Sequence, residues 1–356
     1  MKDKNDRTKK IIFLCGAKKS YVRNALNLKA LKKIANVIDF SSDAISYYRR
    51  LPLVLLRCIF CLQKYDLIFV GFLGQVLMPI VRLQTNKPII FDAFISLYDT
   101  LCFDRKTFKP NSLIRKFAFW FDKKSCEWAD IIITDTDAHA NYFSKTFGIP
   151  KDKFQTIYLG ADTDIFYPRN IQKNTNKFIV FYYGSGLPLQ GIDVILKATK
   201  ILEKDEKIIF QLVGPIRKKY AALINSLNLK NAEFIDWVPY EKLPDKIAQT
   251  DICLGGHFSD IDKAKRLISG KAYQFIAMKK PVILGDNPAS KELFENIKSA
   301  IMVEMGNPDA LAQAILELKE DRDLMEKISI EGYKIFHNKF LINEYHEEIF
   351  SKILNI

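Results

Sequence analysis

The sequence predicts an α/β fold of two doubly wound domains. Short apolar runs, rich in β-branched and aromatic residues, alternate with segments of helical periodicity, and this alternation starts twice along the chain. A polar linker, residues 169–177, separates the two series. The chain of 356 residues is long enough for about two domains, each with its own core. Because apolar strands that alternate with helices form parallel sheets covered on both faces, we expect two such sheets.

Each domain contains predicted strands separated by helices. In the first half of the chain the predicted strands are Lys10–Cys15, Val37–Phe40, Leu67–Phe72, Pro88–Phe91 and Asp130–Thr134. In the second half they are Phe178–Tyr183, Ile208–Val213, Ala232–Ile235, Ile252–Gly255, Pro281–Leu284 and Ala300–Val303. We predict a Rossmann-like domain over residues 1–168, a second over 169–335, and a C-terminal helix over 336–356 that crosses back to the first. Ligands of such sheets bind beyond the carboxyl ends of the strands, so we expect a site in a cleft between the domains.

The composition excludes several classes of protein. Six cysteines are scattered through mostly apolar runs, which excludes a disulfide-stapled secreted scaffold. The charged N-terminus meets only a short apolar run, Ile11–Leu14, so no signal peptide is predicted and a cytoplasmic protein is expected. The net charge of +13 makes anionic lipid, nucleic acid and phosphorylated small molecules candidate partners. A solvated, lysine-rich surface is the alternative.

A glycine-rich loop follows the first predicted strand of the second half. Residues 184–191 read GSGLPLQG, and a helix is predicted to start near Ile192. Such a loop exposes backbone N–H groups beside a helix N-terminus, and both favour phosphate. The candidate ligand-binding residues are Gly184, Ser185, Gly186 and Gln190. An ordinary turn between strand and helix is the alternative.

Basic residues gather after the strand Ile252–Gly255. Lys263, Arg266 and Lys271 precede or begin the next helix and can neutralise a diphosphate beside the helix dipole. Lys271 and Gln274 are three residues apart, so they share one face of that helix. A solvated basic face is the alternative.

Several motifs, taken in order, resemble the family 4 glycosyltransferases. They are IYLGADTDIFYP at 157–168, the glycine loop with its Gln-Gly end, WVPYEKLP at 237–244, KAYQ at 271–274, KPVI at 280–283 and NPASKE at 287–292. The resemblance implies the GT-B fold, with a nucleotide-sugar donor on the second domain and an acceptor on the first. It also implies transfer with retention of the anomeric configuration, in which the protein supplies mainly electrostatic stabilisation of the leaving diphosphate.

The resemblance implies roles for single residues, and it has two gaps. The base is expected beside Trp237 and Val238, Glu292 is expected at the donor, and Lys271 is expected to act in catalysis on the diphosphate. However, Arg266 and Gln274 stand where most members carry two glutamates, and the glycine loop lacks the usual arginine and lysine. We therefore infer that the basic residues at 263, 266 and 271 supply the missing counter-charge. For Glu292, a dipole partner in a first helical turn is the alternative.

In the first domain the resemblance points to the loop after strand Pro88–Phe91. Asp92, Ser96 and Asp99 are the catalytic candidates there, with turn-forming aspartates and a helix-capping serine as the alternatives. Residues 135–137 have the D-x-D form of a metal-bridged diphosphate site but lie in the acceptor domain, where a helix cap is expected. No metal and no cofactor are predicted, and a UDP-sugar is favoured over a GDP-sugar as substrate.

The first domain also gathers cations ahead of an apolar run. The cations are Lys18, Lys19, Arg23, Lys29, Lys32 and Lys33, and the run is YYRRLPLVLL at 47–56. Cations beside apolar and aromatic residues suit a surface that rests on anionic headgroups. A solvated lysine face is the alternative.

Together these features predict a metal-independent, hexosyl-type retaining glycosyltransferase. It would act on a glycan or lipid-linked acceptor in cell-envelope polysaccharide or glycoconjugate synthesis, as a cytoplasmic protein peripheral on the inner face of the membrane. A non-catalytic GT-B-like subunit that supports a partner glycosyltransferase, and a nucleotide-sugar epimerase of the same fold, are the alternatives. No motif predicts binding to nucleic acid.

Overall fold

The structure is a computed structural model, and the chain divides into two compact units. The residues described are 9–44, 46–59, 64–104, 112–341 and 344–355. The units are Met1–Tyr158 with Glu344–Ile356, and Leu159–Asn343. The sequence predicts domain boundaries after residue 168 and after residue 335. The second unit instead begins earlier, at Leu159, and ends later, at Asn343. The reason is aromatic packing within the second unit: Phe166 lies 5.3 Å from Tyr240 and Phe340 lies 5.5 Å from Tyr273, between ring centroids.

Among the described residues, each unit forms one parallel sheet of six strands, which confirms the predicted α/β fold. The strands of the first unit are β1 (Lys10–Cys15), β2 (Asn36–Asp39), β3 (Leu67–Gly71), β4 (Ile89–Asp92), β5 (Ile131–Thr134) and β6 (Phe154–Thr156). Those of the second are β7 (Phe178–Tyr183), β8 (Ile208–Val213), β9 (Ala232–Ile235), β10 (Ile252–Leu254), β11 (Val282–Gly285) and β12 (Ile301–Val303). The strand orders are β2-β1-β3-β4-β5-β6 and β12-β11-β10-β7-β8-β9.

Helices connect the strands in both units. In chain order they are α1 (Val22–Ile34), α2 (Tyr47–Ile59), α3 (Met78–Gln84), α4 (Leu97–Asp99), α5 (Leu113–Trp128), α6 (Asp137–Phe147), α7 (Ile192–Ile201), α8 (Ile216–Lys219), α9 (Ala221–Leu227), α10 (Leu243–Ala248), α11 (Gly270–Ala277), α12 (Pro308–Glu320), α13 (Arg322–Phe336) and α14 (Tyr345–Leu354). No helix in the described part of the chain is long and apolar enough to cross a membrane.

Helix α14 belongs to the first unit, where it packs against α1. Lys33 of α1 pairs with Glu344 (2.9 Å) and Glu347 (2.6 Å) at the start of α14. From β1 to β2 the chain moves across the sheet in one direction, and from β2 through β6 it moves in the opposite direction. Because crossovers between parallel strands are right-handed, α1 covers one face of the sheet and α2, α3 and α5 cover the other.

The strand order reverses once in each sheet, and these points position the candidate sites. In the first unit the reversal lies between β1 and β3, and in the second between β7 and β10. The interiors of the sheets are apolar, with Phe91 and Ile132 in the first core and Phe210 and Ile283 in the second. In open sheets of this kind ligands bind outside the carboxyl ends of the strands where the order reverses.

Candidate active site

In the second unit, the loops after β7 and β10 touch each other through a glycine. Gly191 has a φ of 68°, and a Cβ there would lie 2.4 Å from the Ser259 nitrogen. Ser259 Oγ donates a hydrogen bond to the Leu189 carbonyl (2.9 Å), and Phe258 N donates to the Gln190 carbonyl (3.3 Å). A side chain at position 191 would force the two loops apart. The glycine therefore allows the two loops to touch at the point where the strand order reverses.

Hydrogen bonds anchor the glycine loop at its first residue and at its end. Gly184 N donates to the Val213 carbonyl at the end of β8 (2.9 Å). Gln190 is buried, and its Oε1 accepts from Tyr182 Oη (3.0 Å) and from Leu187 N (3.1 Å). Gln190, predicted to bind the donor, thus holds its own loop in shape through its amide oxygen. The backbone of the neighbouring residues Ser185 and Gly186 lies at the carboxyl end of the sheet.

A cation reaches the glycine loop from the next strand connection. Lys219, at the end of α8, is exposed and donates from Nζ to the Ser185 carbonyl (2.7 Å). The sequence motifs do not predict it, because it stands outside the loop that the family uses. The signal is the run IRKK directly after β8, since β8 lies beside β7 in the sheet. Lys219 therefore supplies positive charge that the loop lacks.

Lys271 is a buried cation near the start of α11. Its side-chain Nζ donates to Ser269 Oγ (3.2 Å) and lies 5.1 Å from the centroid of the Tyr182 ring. Burial lowers the pKa of Lys271 to about 8. Within the described part of the chain, no carboxylate forms an ion pair with Lys271. A bound anion would supply the missing counter-charge.

His257 lies near two of the predicted cations. Burial, together with the positive charges of Lys271 and Lys263, holds the pKa of the His257 imidazole well below its usual value. The imidazole is therefore neutral at pH 7, and its buried Nδ1 has no hydrogen-bond partner among the described residues. Lys263 is buried in the single turn Asp262–Arg266, while Arg266 of the same turn is half-buried. The structure thus brings Lys263 and Lys271 to one imidazole, in the loop after β10.

Gln274 joins two tyrosines rather than an open surface. Its Oε1 accepts from Tyr183 Oη, and its Nε2 donates to Tyr240 Oη (3.1 Å). Burial raises the pKa of Tyr240 to about 12, so this hydroxyl stays protonated and neutral. Gln274, predicted to bind the donor, has both ends of its amide engaged within the protein and acts as a brace.

Three further donor-side residues lie at the carboxyl ends of other strands. Trp237 and Val238 follow β9, and the Trp237 side chain is 74% exposed. Glu292 is half-buried in the single turn Ser290–Glu292, which follows β11. An exposed indole offers a flat apolar face to a base. The roles of Trp237, Val238 and Glu292 at the donor stay predictions.

In the first unit, Asp92 is part of a buried ion pair. Arg23 and Asp92 are both buried, with Arg23 Nη2 and Nε each 3.0 Å from a carboxylate oxygen. Asn27 Nδ2 donates to the same carboxylate (3.0 Å), and Arg23 Nη1 donates to the Ile157 carbonyl. Asp92, predicted to be catalytic, is instead bound on several sides by protein donors. It ties α1 to the end of β4.

Ser96 caps a helical turn, which is the alternative that its sequence allowed. Ser96 Oγ accepts from Asp99 N (3.0 Å) and donates to Asp122 Oδ2 (2.7 Å). Asp122 also accepts from the backbone N–H groups of Leu97 and Tyr98 (3.1 and 2.8 Å), and burial raises its pKa to about 6. The sequence does not predict Asp122, which comes from the middle of α5. Asp99 is buried in the turn that Ser96 caps.

The D-x-D segment in the first unit forms a cap, as expected. Thr136 Oγ1 accepts from His139 N (3.0 Å) at the start of α6, and Asp135 Oδ1 lies 2.7 Å from His139 Nδ1. The described residues contain no group of three or more His, Cys, Asp or Glu side chains placed to hold a metal ion. Asp135 therefore orients a buried imidazole.

The cations predicted to form a membrane surface are partly neutralised. Arg23 is buried against Asp92, Lys19 pairs with Asp39 (2.7 Å), and Lys33 pairs with the start of α14. The side chains of Tyr47 and Tyr48 lie outside the described residues. Helix α1 thus offers less free positive charge than its sequence suggests.

Comparison with protein families matches both halves of the chain. Residues 164–335 match the family model described as glycosyl transferases group 1, and residues 20–165 match glycosyltransferase family 4. An uncharacterized glycosyltransferase of Methanocaldococcus jannaschii is 23% identical over 190 residues, which cover 53% of this chain and 50% of that protein. The match thus spans about half the length of that curated relative.

Solved structures share the fold over almost the whole chain. HepE of Anabaena, in complex with UDP-glucose, has a TM-score of 0.74 at 16% identity, covering 98% of this chain and 100% of that one. Sucrose-phosphate synthase of Thermosynechococcus elongatus has a TM-score of 0.77 at 14% identity, covering 98% of each chain. These likenesses confirm the predicted GT-B type of fold.

Proposed function

Because the chain belongs to the group 1 and family 4 glycosyltransferases, we propose that it transfers a sugar from a nucleotide-sugar donor to a glycan or lipid-linked acceptor. The second unit would bind the donor and the first the acceptor. The observation that carries this proposal is Lys271, a buried cation that pairs with no carboxylate of the described residues and lies at the reversal point of the second sheet. A diphosphate is the group that would balance its charge. We favour a UDP-sugar because HepE is solved with UDP and UDP-glucose.

The proposed chemistry is transfer of a hexose with retention and without a metal. The bond from the anomeric carbon to the diphosphate oxygen breaks, and the acceptor oxygen bonds to the same face of that carbon. The acceptor's proton passes to the departing phosphate oxygen. Lys271, Lys263, Arg266 and the backbone amides of Ser185 and Gly186 would stabilise the charge that develops on the diphosphate, whereas the Gly184 amide is engaged by the Val213 carbonyl.

We further propose a role in cell-envelope polysaccharide or glycoconjugate synthesis, at the inner face of the membrane. The net charge of +13 supports contact with anionic lipid. A non-catalytic subunit is the second candidate, favoured by Arg266 and Gln274 in place of the family's glutamates. Consumption of a nucleotide-sugar by the purified chain, with a crude lipid-linked acceptor, separates the two.

A thermal-shift screen with UDP, GDP and ADP tests the proposed donor. Ligands that bind the folded state raise its apparent stability by mass action, by about 2.7 kcal/mol at a hundred times Kd. We expect UDP to raise the melting temperature more than GDP or ADP. The absence of a shift with all three nucleotides would contradict the proposal.

Lys219→Met should weaken UDP binding about tenfold at low salt, the size of a lost hydrogen bond to a charged group. The reason is its position at the Ser185 carbonyl of the glycine loop. Because Lys219 is exposed, the effect should shrink as salt is raised. Calorimetric titration measures it, with the neighbouring Lys218→Met as the matched control. Equal affinity of the two variants would remove Lys219 from the site.

Glu292→Gln should lower the affinity for the nucleotide-sugar about tenfold with the melting temperature unchanged, if Glu292 accepts hydrogen bonds from the donor. The matched control is Glu295→Gln, an exposed carboxylate that pairs with Lys298 (3.0 Å). A lower melting temperature with unchanged affinity would assign Glu292 to the dipole of its helical turn instead.

A further inference from the structure

One helical layer of the first unit exposes large apolar side chains to solvent. On α5 these are Leu113, Ile114, Phe117 and Trp120, on α2 they are Leu53, Leu56 and Ile59, and on α3 it is Leu83. Their exposed fractions run from 42% for Trp120 to 88% for Leu83. We call this set the apolar face. Apolar residues on an ordinary surface are scattered singly, whereas this layer exposes many of them.

The helices that carry the apolar face are neighbours. Helix α2 packs against α3, and α3 packs against α5. All three connect strands in the same direction and therefore cover the same face of the sheet. On α5 the exposed residues recur at 113, 114, 117 and 120, a spacing that places them along one side of the helix.

Positive charge borders the apolar face. Helix α2, with the sequence YYRRLPLVLLRCI, carries no carboxylate and three arginines, of which Arg50 is buried, and α3 carries one arginine and no carboxylate. Arg49 and Arg57 of α2 and Lys116 of α5 are exposed. The exposed carboxylate of α5, Glu127, lies in its last turn and pairs with Lys124 (2.6 Å). This pattern complements an anionic surface.

We propose that the apolar face docks the first unit on an anionic lipid surface, with Phe117 and Trp120 among the upper acyl chains and the exposed arginines of α2, Arg49 and Arg57, at the headgroups. The proposal deepens the proposed function, since the surface would deliver a lipid-linked acceptor to the first unit. Lipid is favoured over a protein partner because cations surround exposed aromatic and aliphatic side chains, a combination typical of helices that lie in the interface. Helix α1, with its paired lysines, contributes less.

Co-sedimentation with vesicles of phosphatidylcholine and phosphatidylglycerol tests the apolar face. The full chain should bind at low salt, and binding should weaken at high salt and with phosphatidylcholine alone. Phe117→Ser combined with Leu113→Ser should lower the partition coefficient at least about tenfold, since each buried apolar side chain contributes strongly. Ile201→Ser, at a 44% exposed residue of α7 in the second unit, is the matched control and should bind like the wild type.

Quenching by brominated lipid locates the contact. Bound protein should lose tryptophan emission, and Trp120→Phe should lessen that loss whereas Trp237→Phe should not, with Trp128, 5.9 Å from Trp120 between ring centroids, accounting for the remainder. Recovery of the wild type in the supernatant with anionic vesicles, or equal binding by the double variant, would overturn the proposal. The proposal would also be overturned if the wild type were a dimer and the double variant were a monomer that still binds vesicles. The apolar face would then be an interface between copies.

The UDP melting shift, measured on the same samples, keeps the two proposals apart. A UDP response without vesicle binding overturns the lipid surface alone. Vesicle binding without any nucleotide response supports the surface and contradicts the proposed donor. Variants that keep the wild-type melting temperature show that the loss of binding is not a loss of folding.

Discussion

Lys271→Met is expected to lower kcat by about two orders of magnitude, the usual cost of removing one electrostatic partner of the transition state. Lys271 is buried in the first turn of α11, at the end of the sheet where the diphosphate would leave. The measurement is the rate of UDP release with a saturating nucleotide-sugar. Lys265→Met is the matched control, because Lys265 pairs with Asp262 (3.0 Å) and should be dispensable. An unchanged rate in Lys271→Met would remove its role at the diphosphate.

The pH dependence of Lys271 follows from its lowered pKa. In the folded protein the amine loses its proton near pH 8, whereas in the unfolded chain it keeps the proton to about its ordinary value of 10.5. Between these two values the unfolded chain binds more protons, so this group makes the ligand-free protein more stable as pH rises. Nucleotide affinity should move the other way and fall above pH 8, because the cation is lost.

Arg23→Met is expected to lower the free energy of unfolding of the first unit by about 3–5 kcal/mol, because it leaves a buried carboxylate without its partner. Both side chains of the Arg23–Asp92 pair are fully buried. Urea unfolding followed by a probe in the first unit measures the change, since two units need not unfold together. Lys32→Met, an exposed position on the same helix, is the control and should change stability little.

Asp92→Asn distinguishes a structural from a catalytic carboxylate. We expect a lower melting temperature, because the amide cannot accept from Arg23 and Asn27 as the carboxylate does. The double variant Arg23→Met with Asp92→Leu should recover part of the stability, since apolar pairs can replace buried ion pairs. Full stability of Asp92→Asn with lost activity would return Asp92 to the catalytic candidates.

Local patterns predict the strands well because buried parallel strands are apolar along their length. The runs at 10–15, 178–183 and 208–213 match β1, β7 and β8 residue for residue. Strand β6 is not predicted, because Phe154–Thr156 is three residues long, half-exposed and at the sheet edge. A short edge strand gains its structure from pairing with β5, which no local pattern contains.

Side-chain roles are harder to predict where the partner is distant in sequence. Asp92 has the position of a catalytic carboxylate, but its partner Arg23 stands 69 residues earlier on another helix. Gln274 matches the place of a family glutamate, yet its amide is held by Tyr183, at the end of β7, and by Tyr240, which follows β9. In contrast, the cap at Thr136 depends on local spacing, and the sequence predicts it.

A nucleoside diphosphate is expected to bind the second unit beside Lys271. Calorimetric titration with UDP at pH 8, in two buffers of different ionisation enthalpy, tests it most directly. Because Lys271 is half-protonated near its pKa of about 8, a bound diphosphate should draw up to about half a proton from the buffer. We predict binding with proton uptake in the wild type, and binding that is weaker and without uptake in Lys271→Met. Failure of UDP to bind, or binding with the same proton count in both proteins, would contradict the claim.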